Sequence, residues 1–141
     1  MTTMHAVAIA VTFLWLGMVL AISFLEAPLK FRAPEVTVRI GLGIGRLVFR
    51  ALNRVEIGWA ATLVLTVIAG GARAAAVAAA MTAVAVLIVQ MAGVRPWLTR
   101  RSNRVLAGQD APRSRAHHVY VGLEAVKVLA LLTTGVLLLG G

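Results

Sequence analysis

Four long apolar stretches alternate with polar breaks along the chain. The first, "MHAVAIAVTFLWLGMVLAISFLEA", covers residues 4–27 and predicts a helix that stops at Pro28, which lacks an amide proton and disfavours helix before itself. Residues 28–43 read as a connector, in which Pro34 opens a short interfacial helix with Phe31, Val36 and Ile40 toward lipid. The second apolar helix spans 44–69, "GGARA" is a tight turn, and an alanine-rich third helix spans 75–94. A polar loop over 95–115 leads to the fourth helix at 116–139. Each stretch has about the 20 residues that cross a hydrocarbon core. The first is read as a true span rather than a secretory signal, because "MTTMH" has no Lys or Arg and "FLEA" is a poor cleavage site.

The expected fold is therefore an all-α integral membrane protein, a single domain of 141 residues built as a four-transmembrane-helix bundle. Composition agrees, with 60% hydrophobic residues, 13% charged residues and a mean hydropathy of +0.92. The net charge of +9 does not point to nucleic acid in so apolar a chain; it follows the positive-inside rule. Lys30, Arg32 and Arg39 fall in the 28–43 connector, and Arg95, Arg100, Arg101, Arg104, Arg113 and Arg115 in the 95–115 loop. The turn has Arg73 and the termini have no Lys or Arg. Both basic loops are placed in the cytoplasm and both termini on the extracytoplasmic side. The excess of arginine over lysine suits a GC-rich bacterial genome, hence a multi-pass protein of the inner membrane with the lipid bilayer as its first partner.

The second helix begins among charges, "GRLVFRALNRVEIG" at 45–58. Counted from its cytoplasmic end at 1.5 Å per residue, Arg54 lies roughly 15 Å deep and Glu56 roughly 18 Å. On the fourth helix Glu124 lies roughly 12 Å deep and Lys127 roughly 16 Å. Four ionisable groups thus share one layer. A charge at mid-membrane costs about 2.5–3.5 kcal/mol on insertion scales, so these groups are expected to face the bundle interior. The expected pairs are Arg54–Glu124 and Glu56–Lys127, with Glu26 beside Arg46 or Arg50, and His117 and His118 at the cytoplasmic mouth. Arg50, Asn53, Arg54, Glu56, Glu124 and Lys127 would line a polar pathway, supported by Glu26, Arg46, His117 and His118. The bland alternative is equally physical: Arg46 and Arg50 snorkel to headgroups, and the buried pairs only fix how the helices fit.

Gly58, Thr62, Thr66 and Gly70 recur every four residues, as do Ala72, Ala76 and Ala80. Small residues at this spacing let helices approach closely, which predicts a tight hairpin of the second and third spans. "GLGIG" is not a phosphate loop, since no strand precedes it and no Lys-Ser/Thr follows; Gly41 and Gly45 suit a flexible helix start or a small-residue contact. There is no cysteine, so disulfides and thiolate metal sites are excluded. No hydrolase or metalloprotease pattern occurs. A bis-histidine haem needs two imidazoles at one depth on different helices, whereas His5 lies at the opposite face from His117 and His118. No cofactor and no metal site are expected.

The stretch "WLGMVLAISFLEAPLKF" followed by "IGRLVFRALNRVE" resembles the small four-span bacterial membrane proteins of the DUF4149 and TMEM205-like group, near the copper-resistance-D-like proteins. Ala27, Pro28 and Phe31 carry the first part of the likeness, Gly45 and Phe49 the second, over about the first 60 residues. The resemblance implies a four-helix membrane bundle. Copper handling does not carry over, because cysteine is absent and the methionines do not cluster. Three functions follow from the residues. The first is a small transporter or permeation protein for an anionic or zwitterionic solute, which would need a homodimer to enclose a pathway. The second is an accessory or assembly subunit of a larger membrane complex, and the third a haem- or quinone-linked membrane oxidoreductase.

Overall fold

The hydroxyls of Thr2 and Thr37 accept from the backbone N–H of His5 and Ile40, at 3.1 and 3.2 Å, and start the first two helices of the computed structural model. Such caps satisfy amide protons that the helix itself leaves open. The structure describes residues 1–109 and 115–141. Four helices make up the fold: α1 (Thr3–Arg32), α2 (Val38–Ala69), α3 (Ala74–Leu106) and α4 (Arg115–Leu139). Each is long and apolar enough to cross a membrane, and no strand occurs among the described residues. Gly71 ends α2 at φ 65°, with Ala72 N–H on the Val67 carbonyl and Gly71 N–H on that of Ile68. Gly108 ends α3 in the same way at φ 84°. Both are Schellman caps, whose left-handed residue a side chain would strain.

Two helices run further than the prolines suggest. α1 contains a π-helical turn at Leu20–Glu26 and continues through Pro28 as far as Arg32. In the wider turn Ala27 N–H reaches back five residues to Ile22, so Pro28 falls where the ladder is already changing register. α3 carries a second π turn at Gln90–Val94 and continues through Pro96 as an arginine-rich amphipathic segment, Arg95–Leu106. The expected connector 28–43 shrinks to residues 33–37, with Ala33 extended before Pro34 and Glu35 at φ 68°. No separate interfacial helix forms there. The expected loop 95–115 is likewise helical over most of its length, and Arg113 lies outside the described residues.

Around the bundle, α1 packs on α2 and α4, and α3 packs on α4 and more lightly on α2. The diagonals α1–α3 and α2–α4 make no comparable contact. The expected tight pairing of α2 with α3 is therefore replaced by α3 with α4. Gly58 is exposed with open space beside it, and Gly70 packs on Met4 and His5 of α1. Ala76, Ala80 and Ala83 are fully buried, and with Trp15, Leu63, Leu87 and Leu131 they form the apolar core. Gly135 lets α1 approach α4: an added Cβ would meet the Phe13 ring at 2.6 Å.

The outer surface is apolar, with Leu47, Leu65, Ile68, Ile88, Leu129 and Val136 all exposed. The interior holds Thr12, Glu56, Gln90, Glu124, Lys127 and Thr134. The threonines satisfy themselves locally, Thr12 on the Ala8 carbonyl and Thr134 on that of Ala130, both at 2.7 Å. An apolar exterior around an interior that holds charged and polar side chains beside its apolar core is not the pattern of a water-soluble bundle. It fits four helices whose solvent is lipid, in which polar side chains face the bundle interior.

Candidate functional site

Each helix contributes to one buried polar layer. Lys127 of α4 is fully buried and reaches across the bundle axis to Glu56 Oε1 of α2 at 2.5 Å. It also meets Glu124 Oε1 of its own helix at 2.6 Å and donates to Gln90 Oε1 of α3 at 2.9 Å. Gln90 donates in turn to Glu124 Oε1 at 2.9 Å. Trp15 of α1 completes the layer, its indole N–H donating to Glu56 Oε1 at 3.0 Å. Counted from the end of the bundle that carries the termini, these residues lie roughly 18–24 Å along their helices. Side chains thus join the α2–α4 diagonal directly at the axis, and α1 and α3 attach to that pair through Trp15 and Gln90.

The Glu56–Lys127 pair forms as expected. The Arg54–Glu124 pair does not. Successive residues of an α-helix turn by about 100°, so Arg54 stands some 200° from Glu56. With Glu56 on the axis, Arg54 points outward and is exposed. Glu26 meets Lys30, one turn away on α1, at 3.8 Å rather than Arg46 or Arg50. Trp15 and Gln90 were absent from the expected set. Gln90 could have been found, since a lone amide in the apolar run of α3 needs a buried partner. Trp15 carried no such signal, because its indole also suits a lipid-facing position.

Beyond this layer, toward the basic end, the helices part around a cavity of about 570 Å³. Arg46, Phe49, Arg50 and Asn53 of α2 line one side. Ser23, Phe24, Lys30 and Phe31 come from α1, Arg95 and Arg101 from α3, and His117, Tyr120 and Glu124 from α4. His118 is exposed and is not in the lining. The two imidazoles sit edge to face on neighbouring positions, with centroids 5.7 Å apart. Among the described residues no group of three His, Cys, Asp or Glu is placed to hold a metal ion.

The glycines and aromatics shape this cavity. Gly41 is buried under the Phe31 ring and leaves no room for a Cβ, and a Cβ added at Gly45 would stand 3.1 Å from Lys30 Nζ. The pair is thus a seat for two α1 side chains rather than a flexible start. Phe49 and Tyr120 meet edge to face at 6.0 Å. Arg95 lies over both rings, at 5.0 and 5.8 Å, and Lys30 lies 5.7 Å from Phe49. Cations on aromatic faces are attracted by the ring quadrupole, which draws both charges to the aromatic wall of the cavity. The π turn in α3 contributes as well. Residues five apart on a regular helix diverge by about 140°; the wider turn brings Gln90 and Arg95 closer to one face, so one serves the buried layer and the other the cavity.

Glu124 joins the two regions. It lines the cavity, is 1% exposed, and gives Oε1 to the buried layer, while its Oε2 has no protein partner. Ser23 Oγ, also on the cavity lining, is buried without a protein partner. Buried polar atoms are rarely left so; the carboxylate oxygen accepts, the hydroxyl accepts or donates, and Glu26 Oε2 and Glu56 Oε2, off the lining, are buried without a hydrogen-bond partner as well. No protein family, curated protein or solved structure matches the chain.

Proposed function

We propose that the protein is a multi-pass protein of the bacterial inner membrane, within the DUF4149 and TMEM205-like group, that takes a small anionic or zwitterionic solute into its basic-end cavity for transport. The observation that carries the reading is Glu124, a buried carboxylate that ends the cavity and belongs to the ion network crossing all four helices. A network that served packing alone would gain by using all its oxygens. Of the four buried side-chain atoms without a hydrogen-bond partner among the described residues, Glu124 Oε2 and Ser23 Oγ belong to residues on the cavity lining, and Glu26 Oε2 and Glu56 Oε2 do not. In this reading the basic end faces the cytoplasm, following the positive-inside rule, and both termini lie outside.

The cavity has the size of small-molecule sites, about 300–1,000 Å³, and is rimmed by Arg46, Arg50 and Arg95. Arginine forks suit carboxylate and phosphate groups. Flux of labelled anionic and zwitterionic solutes into proteoliposomes tests the proposal. Wild-type protein should carry a subset of them, and Glu124→Gln should lose that flux while remaining folded. A protein that carries none of them and extracts from its membrane with a second chain bound would overturn the reading in favour of an accessory subunit.

A further inference from the structure

Charge divides this cavity along its length. At the deep end Glu56 and Glu124 share the single ammonium of Lys127, which leaves one formal negative charge in excess. Two polar atoms on the lining are unpartnered: Glu124 Oε2 at this end, which only accepts when ionised, and Ser23 Oγ nearer the rim, a hydroxyl that accepts or donates. The rim has the opposite character: Lys30, Arg46, Arg50, Arg95 and Arg101 line it. Arg46 and Arg50 have no acidic partner among the described residues. A simple anion would satisfy the rim and leave the deep carboxylate oxygen of Glu124 unmet. A simple cation would have to pass the arginines.

We propose that the cavity takes a phosphoethanolamine-type head, a primary ammonium and a phosphate on a short linker, seated ammonium-first. The ammonium donates to Glu124 Oε2 and Ser23 Oγ, and the phosphate lies among Arg46, Arg50 and Arg95. This rests on the reading of the cavity as a solute site and names its ligand class. A primary ammonium offers several N–H donors, which matches two acceptors, whereas a quaternary ammonium offers none. Phosphate fits a rim of several arginines better than a single carboxylate does, since its oxygens accept several charge-assisted bonds. Phe24 and Phe31 line the same cavity and are 42% and 40% exposed on the apolar outer surface. The opening therefore reaches the lipid side, and the head can arrive free or on an acyl chain.

The test is calorimetric titration of the full chain in maltoside micelles with phosphoethanolamine, inorganic phosphate, ethanolamine and phosphocholine. Phosphoethanolamine should bind about tenfold tighter than phosphate or phosphocholine, about 1.4 kcal/mol, and ethanolamine weakest. Glu124→Gln should erase that advantage and leave phosphate affinity within about twofold, and Ser23→Ala should erase part of it. The paired change Arg46→Gln, Arg50→Gln should weaken phosphate and phosphoethanolamine alike. Equal wild-type affinity for phosphate and phosphoethanolamine overturns the ammonium-first assignment and leaves an anion site standing. Absence of binding by any probe overturns the assignment and the solute-site reading together. Repeating the titration in phosphatidylethanolamine discs separates the two sources. Loss of soluble binding there identifies the lipid head as the occupant, and unchanged binding identifies the free solute.

Discussion

Replacing Lys127 with methionine removes the one cation that holds two buried carboxylates. Lys127 makes three contacts, at 2.5, 2.6 and 2.9 Å, to Glu56, Glu124 and Gln90. All four side chains are buried and only Glu124 borders the cavity, so water cannot reach Glu56 and Gln90 without opening the bundle. Stranding one partner of a buried pair costs about 3–5 kcal/mol, and here two carboxylates are stranded on one axis, which puts the expected loss at the upper end. The cost comes from uncompensated charge and not from lost packing, since methionine nearly fills the same volume. The triple variant Glu56→Gln, Glu124→Gln, Lys127→Met has no charge left in the layer, and its amides keep acceptors for Trp15 and Gln90. It should recover most of the loss, because replacing a whole buried ion group is often neutral. The assay is reversible unfolding in mixed micelles with increasing dodecyl sulfate, followed by circular dichroism. The reasoning fails if Lys127→Met unfolds at the wild-type midpoint, or if the triple variant is no more stable than the single one.

The same assay reads three further changes. Trp15→Phe removes a neutral donor to a charged acceptor and should cost about 1.5–3 kcal/mol; a loss below half a unit would mean Glu56 is held without it. Arg54→Leu should leave stability unchanged or raise it, because Arg54 faces outward; a large loss would restore the Arg54–Glu124 pairing. Gly135→Leu should destabilise by about 1–3 kcal/mol through overpacking against Phe13, and recovery in Gly135→Leu, Phe13→Ala would identify that contact. Gly41→Ala should displace Phe31 from the cavity wall, so solute binding weakens while the unfolding midpoint hardly moves.

The four helices were legible because lipid imposes one long apolar run per crossing. Their ends were not, because Pro28 and Pro96 are absorbed beside π turns, and a π turn leaves no periodic mark in a run that is apolar on every side. The Glu56–Lys127 pair was legible from depth alone. Depth does not fix azimuth, and Arg54 was misassigned for that reason: two residues of separation turn the helix past the axis. The small-residue stripe of α2 had the right spacing without the partner, since Gly58 meets open space and α3 packs mainly on α4. Gln90 was readable and unread, as the one amide in the apolar part of α3. A polar pathway with Arg50, Asn53 and Glu124 was expected from sequence; the part of the cavity wall made by Lys30, Phe31, Arg95 and Arg101 needed coordinates, because these residues lie on helix ends that sequence placed in loops.

The chain has no native cysteine, so one introduced thiol reports one position. Asn53→Cys places it on the cavity lining and Ala83→Cys in the closed core of the bundle. Arg104→Cys, on the exposed end of α3, reports free access at the basic end. A membrane-impermeant thiol reagent applied to oriented vesicles should label Arg104→Cys and Asn53→Cys from the same side, and leave Ala83→Cys unlabelled from both. Labelling of Arg104→Cys with Asn53→Cys inert from either side would contradict an accessible cavity, and with it the account of Glu124 as the end of a solute site.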